Sequence, residues 1–224
     1  RISMYVGLGC SAIGVVISVL IGSISGYLGG TTDLMIQRLV DAWMAFPSLM
    51  IILAVMTVVG TGLVQVMVVL GVLFGVSRTR VVRSAVVSIK ENIYVEAARA
   101  IGCTHREILI RHILPNITAP IIVLFTVDMG TAIITEASIS FLGLGIPPPT
   151  PSWGGMLSWA GRQYMRSAPW MAIWPGLALA IVVYGINMLG DGLRDLFDPR
   201  LRGGLGRYGG VKAKISGDNK KRSK

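Results

Sequence analysis

The sequence predicts an all-α integral membrane protein, a polytopic helix bundle with five transmembrane helices in its 224 residues. Three observations lead to this prediction. Hydrophobic residues make up 53% of the chain and charged residues only 14%, whereas a soluble domain carries about 25% charged residues. The apolar residues form long uncharged runs of the length that crosses a bilayer. The 28 glycines also fit, because glycine is commoner in membrane helices than in soluble ones.

The first three predicted spans come from two uncharged runs. Ile2–Thr32 is long enough for one span, which needs roughly 20 apolar residues. Ala42–Ser77 is long enough for parts of two, and Gly60–Gly62 is the natural break between them. Pro47 should kink or start the helix that carries it. The mixed stretch Asp33–Asp41 should lie at the membrane interface.

Two more spans follow. Ile113–Leu142 is apolar except for Asp128 and Glu136, and Ser167–Gly190 is uncharged. The runs do not alternate apolar and polar residues as barrel strands do, so α-helices are expected. The five predicted spans are about 4–28, 34–59, 62–79, 114–140 and 170–190.

The orientation follows from lysine and arginine, which concentrate in cytoplasmic loops. The stretch 80–112 carries six of them and the tail from Arg194 onward carries ten, whereas the loop 143–169 carries two. We therefore expect 80–112 and the C-terminus to be cytoplasmic and residue 1 to lie outside. A start on the outer side leads us to expect a sixth, N-terminal span upstream of this sequence.

The composition also limits which partners and which chemistry are expected of this chain. The transmembrane domain is predicted over 1–202 and a basic, disordered cytoplasmic tail over 203–224. This distribution explains the net charge of +10 without a nucleic-acid partner. Two cysteines and two histidines at scattered positions make no metal site. The sequence has no G-x-x-x-x-G-K-[ST] phosphate loop and no Ser–His–Asp set, so we expect neither a cofactor nor catalysis in this chain.

Signals of local structure are densest between the third and fourth predicted spans. Good helix formers run from Val95 to Ala100. Gly102 is placed to end this helix in a left-handed turn. Thr104, with Glu107 three residues later, is a capping box that starts a new helix. The sequence therefore predicts a short exposed helix, a sharp turn and a return to the membrane.

The small side chains of this short helix would let the backbone of a partner come close, and Glu96 and Arg99 could fix its register. The segment is thus a docking element or an ordinary amphipathic connector. Its residues Glu96-Ala97-Ala98-x-x-x-Gly102, followed by Leu114-Pro115, resemble the EAA loop of ABC-importer permeases, with His112 where an aliphatic residue is common. The resemblance implies that the cytoplasmic stretch at about 80–112 is a coupling loop, whose short helix docks into a cleft of an ATPase subunit. The residues carried over to that contact are Glu96, Ala97, Ala98, Arg99 and Gly102.

Four other stretches are similar to one subgroup, the dipeptide/oligopeptide/nickel permeases. They are Asp41–Leu49, Glu136–Gly145, Pro151–Gly154 and Asp191–Arg200. The resemblance covers residues 1 to about 202, and this family usually has one more helix before that point. It implies the permease subunit of an ATP-driven importer in a prokaryotic cell membrane, forming a pathway for peptides. Nickel or another small solute stays open as cargo.

The resemblance also implies the partners. A second, homologous permease would complete the pathway within the lipid bilayer. Two cytoplasmic ATPase subunits would bind ATP and Mg²⁺, and an extracytoplasmic solute-binding protein would deliver the cargo. The alternative from another class is a secondary transporter or channel that runs on ion gradients. It predicts internal inverted repeats with broken helices at the midplane, and the sequence shows no such repeat.

Two carboxylates fall inside the fourth predicted span. A charge at that depth is costly, so Asp128 and Glu136 should face protein or water rather than lipid. Both are candidates for the pathway or its outer gate. The alternative for Asp128 is a structural hydrogen bond to a neighbouring helix. For Glu136 it is a side chain that reaches toward the membrane surface.

Small and aromatic residues complete the predictions. Gly22, Gly26 and Gly30 repeat at four-residue spacing and predict a face for close helix packing. Pro151 and Trp153, in and beside a proline-rich segment, are candidates for contact with the solute-binding protein. The tryptophans of this region are otherwise expected as membrane-interface anchors. They are Trp153, Trp159, Trp170 and Trp174.

Overall fold

A computed structural model describes residues 1–158, 163–164 and 167–197. Helices joined by loops make up this part of the chain. They are α1 (Ile2–Leu28), α2 (Gly30–Met44), α3 (Ser48–Val59), α4 (Leu63–Lys90), α5 (Ile93–Ala100), α6 (His105–Glu107), α7 (Thr118–Phe141), α8 (Trp153–Leu157) and α9 (Trp170–Phe197). From α6 to α7 the chain stays helical, as a π-helix over Ile108–Ile113 and a 3-10 helix over Leu114–Ile117. The predicted tail 203–224 and Trp159 lie outside the described residues.

Helix α1 presents a stripe of small residues to its neighbours. These buried residues recur at every third or fourth position: Ser3, Gly7, Ser11, Gly14, Ser18, Gly22 and Ser25. Small side chains let helices approach closely. A β-carbon added at Gly22 would lie only 2.7 Å from the carbonyl oxygen of Thr79 on α4. The backbones of α1 and α4 therefore meet almost directly.

The contacts between α1 and α4 fix their relative direction. A β-carbon added at Gly75 would lie 2.7 Å from Cβ of Ile17, and one added at Gly26 would lie 3.0 Å from Cβ of Val86. Residue numbers thus rise together along the two helices, which run parallel. Because α1 and α4 run in the same direction, the chain between them has to return to the end of the bundle at which α1 begins.

The pair α2–α3 is the candidate for that return crossing. Four helical runs in the described part of the chain are individually long and apolar enough to span a membrane: α1, α4, α9 and the 37-residue run His105–Phe141. The pair α2–α3 passes the same test jointly, with a bend of 84° between the two helices. With this pair counted as one crossing, the five predicted membrane helices are present.

Helix α7 runs antiparallel to α1, and helix α9 runs antiparallel to α7. Gly7, near the start of α1, packs against Ile133 of α7, whereas the end of α1 lies beside the start of the 37-residue run. Helix α7 is therefore antiparallel to α1 and α4. Helix α9 is antiparallel to α7 in turn, because Gly130 faces Asn187 and Gly190 faces Thr126. One end of the bundle carries α5 and the other carries α8; they are called here the α5 end and the α8 end.

The predicted span 34–59 is broken at Pro47, where the sequence predicts a kink or a helix start, because Pro47 precedes α3 and has no backbone N–H to continue α2. Helix α4 is longer than the predicted span 62–79 and continues to Lys90. Its arginines can enter the helix since Arg80 pairs with Asp41 and Arg83 pairs with Asp33, both on α2.

The prediction that Gly30 continues the glycine face is wrong. Gly30 lies beyond the end of α1 and begins α2 with a φ of 57°, and a β-carbon there would meet nothing within 4 Å. Four-residue spacing puts residues on one face only while the helix continues, and α1 ends at Leu28. Gly14, which approaches Gly71 of α4, belongs to the packing face instead.

The packing of α1 on α4 generates a testable prediction. Gly22→Ala places a β-carbon against the backbone of α4, so the helices must separate or shift, at a cost of about 1–3 kcal/mol. We expect a clearly lower melting temperature for the purified chain in detergent. Gly185→Ala is the matched control, because its β-carbon would enter open space on α9. Equal melting temperatures for the two variants would contradict the packing described here.

Candidate functional site

The short helix α5 has one face on the bundle and one face open. Val95 and Ala98 are buried in an apolar cluster that includes Val86 and Ile108. Glu96, Ala97, Arg99 and Gly102 are exposed. Four of the five residues carried over from the family resemblance thus lie on open surface. Ala98 points inward, so it can position α5 but does not present its side chain to a partner.

The turn after α5 has the cap that the sequence predicts. Gly102 has a φ of 89°, a left-handed conformation that glycine adopts without strain. Its N–H donates to the carbonyl oxygen of Arg99 at 3.1 Å, and the N–H of Cys103 donates to that of Ala98 at 3.1 Å. These two hydrogen bonds form a Schellman motif, which satisfies carbonyl groups left free at the helix end.

The next helix begins with the predicted capping box. The backbone N–H of Thr104 donates to Oε2 of Glu107 at 2.9 Å, and the backbone N–H of Glu107 donates to Oγ1 of Thr104 at 3.3 Å. The helix that starts here runs without interruption into α7. The α5 segment, defined as residues 91–107, is therefore joined to α7 by continuous helix.

Sequence reasoning missed two apolar residues of the α5 segment. Ile93 and Ile101 are 84% and 81% exposed, at either end of α5. Large apolar side chains that a fold leaves open near one another mark sites of interaction. The signal was present, since both isoleucines flank a run of small and charged residues, but it did not show which face of α5 each would occupy.

The intramembrane carboxylate Asp128 is paired. Its side chain is 1% exposed, and its Oδ1 accepts a hydrogen bond of 2.8 Å from Nε of Arg78 on α4. Arg78 is one-third exposed, so the positive end of the pair reaches the surface of the bundle. The ion pair ties α7 to α4 and offsets part of the cost of burying the Asp128 carboxylate.

The second carboxylate, Glu136, is fully buried. Its Oε1 accepts a hydrogen bond of 2.7 Å from Oγ of Ser140, while Oε2 has no hydrogen-bond partner. The alternative in which Glu136 reaches toward the membrane surface is therefore wrong, because the side chain packs inward between helices. A role of Asp128 or Glu136 at a pathway or gate stays a prediction, and burial means that it would act through the packing of α7.

Two further ion pairs join α4 to α2. Arg83 makes a two-pronged contact with Asp33, whose Oδ1 also accepts from Oγ of Ser25 on α1. Arg80 pairs with Asp41. Helix α2 also packs the buried Val40 and the partly buried Trp43 against the bundle. The predicted interfacial stretch Asp33–Asp41 is thus anchored on α4.

The α8 end carries a cleft of about 480 Å³. The proline-rich segment 147–151, Ser152 and Thr61 contribute to its lining. Pro151 is therefore exposed to this cleft, whereas Trp153 starts α8 and does not line it. Trp170 and Trp174 are exposed on α9, as interface anchors would be.

Comparisons with known proteins agree with this geometry. Residues 18–203 match the family described as "Binding-protein-dependent transport system inner membrane component". Among curated relatives, the dipeptide transport system permease protein DppC of Alkalihalophilus pseudofirmus is 40% identical over 202 residues, which are 90% of this chain and 66% of the relative. The glutathione transport system permease protein GsiD of Pectobacterium atrosepticum is 41% identical over 90% of this chain and 67% of its own length. The chain thus spans about two thirds of the length of these relatives.

A solved structure has the same fold. A chain from the inward-facing MetNI methionine ABC transporter superposes with a TM-score of 0.70, covering 87% of this chain and 92% of that one. The two are 20% identical in sequence. The similarity therefore concerns the helix arrangement, which is shared although most side chains differ.

The pair Arg78–Asp128 generates a second prediction. Arg78→Met leaves a buried carboxylate without its partner, which costs about 3 kcal/mol or more. The double variant Arg78→Met/Asp128→Leu removes both charges and should recover much of that loss. Arg38→Met is the control, because Arg38 is 79% exposed and lies 3.6 Å from Asp41, an arrangement worth less than about 1 kcal/mol. The melting temperatures of the purified chains measure all three, and a double variant less stable than Arg78→Met would refute the pairing.

Proposed function

This chain belongs to the family of binding-protein-dependent transport system inner membrane components, and from that membership we propose that it is the permease subunit of an ATP-driven importer of peptides. It would form the translocation pathway together with a second, homologous permease. Peptides are the favoured cargo because relatives at 40–42% identity are named for dipeptide and glutathione transport. Nickel or another small solute is the alternative within the same architecture.

The observation that carries the proposal is the geometry of the α5 segment. Its open face combines small side chains, which permit close approach, with Glu96, Arg99 and the exposed Ile93 and Ile101. The Schellman motif at Gly102 and the capping box at Thr104 give it a defined shape. A short helix with small exposed side chains and a defined shape is suited to fill a cleft on another subunit.

Energy would reach the pathway through this contact. Two ATPase subunits would bind ATP and Mg²⁺ at the cytoplasmic side, and this chain would take no part in the hydrolysis. Closure of the ATPase pair would move α5, and the continuous helical run from His105 to Phe141 would carry the movement along α7. The ion pair Arg78–Asp128 would pass it on to α4. The helices would thus alternate between inward and outward openings.

The α8 end would face the outside and receive the solute-binding protein. The cleft, whose lining includes Pro147–Pro151, Ser140 and Ser152, offers a concave surface. Ser140 holds this region in place, because its Oγ accepts from the N–H of Ile146 at 3.4 Å while donating to Glu136. Pro151 is the better candidate for direct contact, and Trp153 would support it from α8.

The orientation can be tested by labelling in intact cells. Cys10 and Cys103 are first replaced by serine, and single cysteines are introduced at Thr61, Met156 and Ala100, which are exposed. We expect Thr61→Cys and Met156→Cys to react with an impermeant thiol reagent added outside. Ala100→Cys should react only after the membrane is opened. Labelling of Ala100→Cys in sealed cells would reverse the proposed topology.

A bulky substitution on the open face of α5 tests its docking role. Ala97→Trp should block close approach of the ATPase, so copurification of the ATPase and uptake of a labelled dipeptide should both be lost while the chain inserts normally. Ala97→Ser is the matched control and should retain both. If Ala97→Trp binds the ATPase and transports normally, α5 is not the docking element.

A companion pair of variants tests the turn. Gly102→Val forces a β-branched residue into a left-handed conformation, at a cost of about 1–2 kcal/mol, and should weaken coupling to ATP hydrolysis. Gly102→Asn should be much milder, because asparagine tolerates this conformation. Equal uptake by the two variants would argue against a defined turn as part of the contact.

A further inference from the structure

Two residues that flank α5 in the chain, Lys90 before it and His105 after it, contact the same residue of α1, Tyr27. Lys90, the last residue of α4, donates from Nζ to the carbonyl oxygen of Tyr27 at 2.6 Å and lies 5.7 Å from the centroid of its ring. His105, the first residue of α6, shares a hydrogen bond of 2.8 Å between Nδ1 and the Tyr27 hydroxyl, and the two rings meet edge to face. The chain between Lys90 and His105 carries α5. Tyr27 therefore closes the base of this loop.

The surroundings of Tyr27 make the closure specific. Tyr27 is 6% exposed, and its ring belongs to the apolar cluster that also holds Val86, Val95 and Ala98. A buried tyrosine hydroxyl needs a hydrogen-bond partner, and His105 supplies it from the exposed side of the loop. The inward face of α5 thus belongs to the same apolar cluster as Tyr27, and His105 at the base of the loop bonds to its hydroxyl.

We propose that Tyr27 is a positioning residue that holds the base of the α5 segment closed, so that movement of α5 is passed to α1, α4 and α7 together. The proposal rests on the proposed function, in which α5 receives the force from the ATPase. Without the Tyr27–His105 contact, the segment is still attached through its chain ends and through Val95 and Ala98. The start of the helical run to α7 can then move apart from α1, and part of the displacement of α5 is absorbed in the loop.

The contact can be removed without disturbing the packing. Tyr27→Phe keeps the ring and the carbonyl group that Lys90 binds, and removes only the hydroxyl. The complete transporter is reconstituted in vesicles with its ATPase subunits and binding protein, and uptake of a labelled dipeptide is measured together with ATP hydrolysis. We expect uptake per ATP hydrolysed to fall about two- to tenfold, the range for the loss of one hydrogen bond. Insertion, melting temperature and copurification of the ATPase should stay close to those of the parent chain.

Matched variants separate positioning from general damage. Tyr5→Phe, at the opposite end of α1 and exposed, should leave the ratio unchanged. His105→Ala should lower it as Tyr27→Phe does, and the double variant should be no worse than either single one. His105→Asn keeps a polar atom near the position of Nδ1 and should recover part of the ratio. If Tyr27→Phe fails to insert, the comparison of His105→Ala with His105→Asn carries the test, because His105 is exposed.

Two results would overturn the proposal. One is an unchanged ratio of uptake to hydrolysis in both Tyr27→Phe and His105→Ala. The other is additive losses in the double variant, which would mean that the two side chains act independently. These failures are distinct from failure of the proposed function, which would appear as normal ATPase binding and uptake in Ala97→Trp.

Discussion

The backbones of α1 and α4 meet with almost no side chain between them, and the rest of the bundle is arranged around that contact. Glycines on both helices leave so little room that a β-carbon at Gly22 or Gly75 would collide with the partner helix. Close contact over this length holds the two helices parallel, which obliges the intervening chain to cross back. It also brings the C-terminal half of α4 beside α2, so that Arg80 and Arg83 pair with carboxylates of that helix.

Charge inside the bundle is tolerated because it is shared between helices. Asp128 and Asp33 are each paired with an arginine of α4, and these pairs join α7 and α2 to α4. A buried pair contributes modestly to stability, since both ions lose hydration. Its stronger effect is on register, because removing either partner leaves an uncompensated charge. Helix α4 can thereby extend through several arginines to Lys90 and deliver the base of α5 at a defined place.

The features that could be predicted from the sequence are those determined within a few residues. The Thr104–Glu107 capping box, the left-handed turn at Gly102 and the helix start after Pro47 each depend on neighbours along the chain. The end of α4 could not be predicted in this way, because the partner that neutralises Arg83 lies 50 residues away. Tyr27 and His105 are 78 residues apart, so neither gives a local signal of their contact. The inward orientation of Glu136 likewise depends on how α7 packs, which hydropathy alone does not specify.

The π-helix between the capping box and α7 has a consequence for changes in chain length. A π turn closes its hydrogen bond over five residues where an α-helix uses four, so it accommodates one residue more than an α-helical path requires. The stretch Ile108–Ile113 could therefore lose one residue by closing into α-helix, with the cap at Thr104 and the register of α7 both kept. Helix α7 contains no such extra residue. Deleting one residue between Thr118 and Asp128 would therefore rotate Asp128 by about 100° away from Arg78. Length variation among related chains is thus expected to be accommodated at the π turn and excluded from α7.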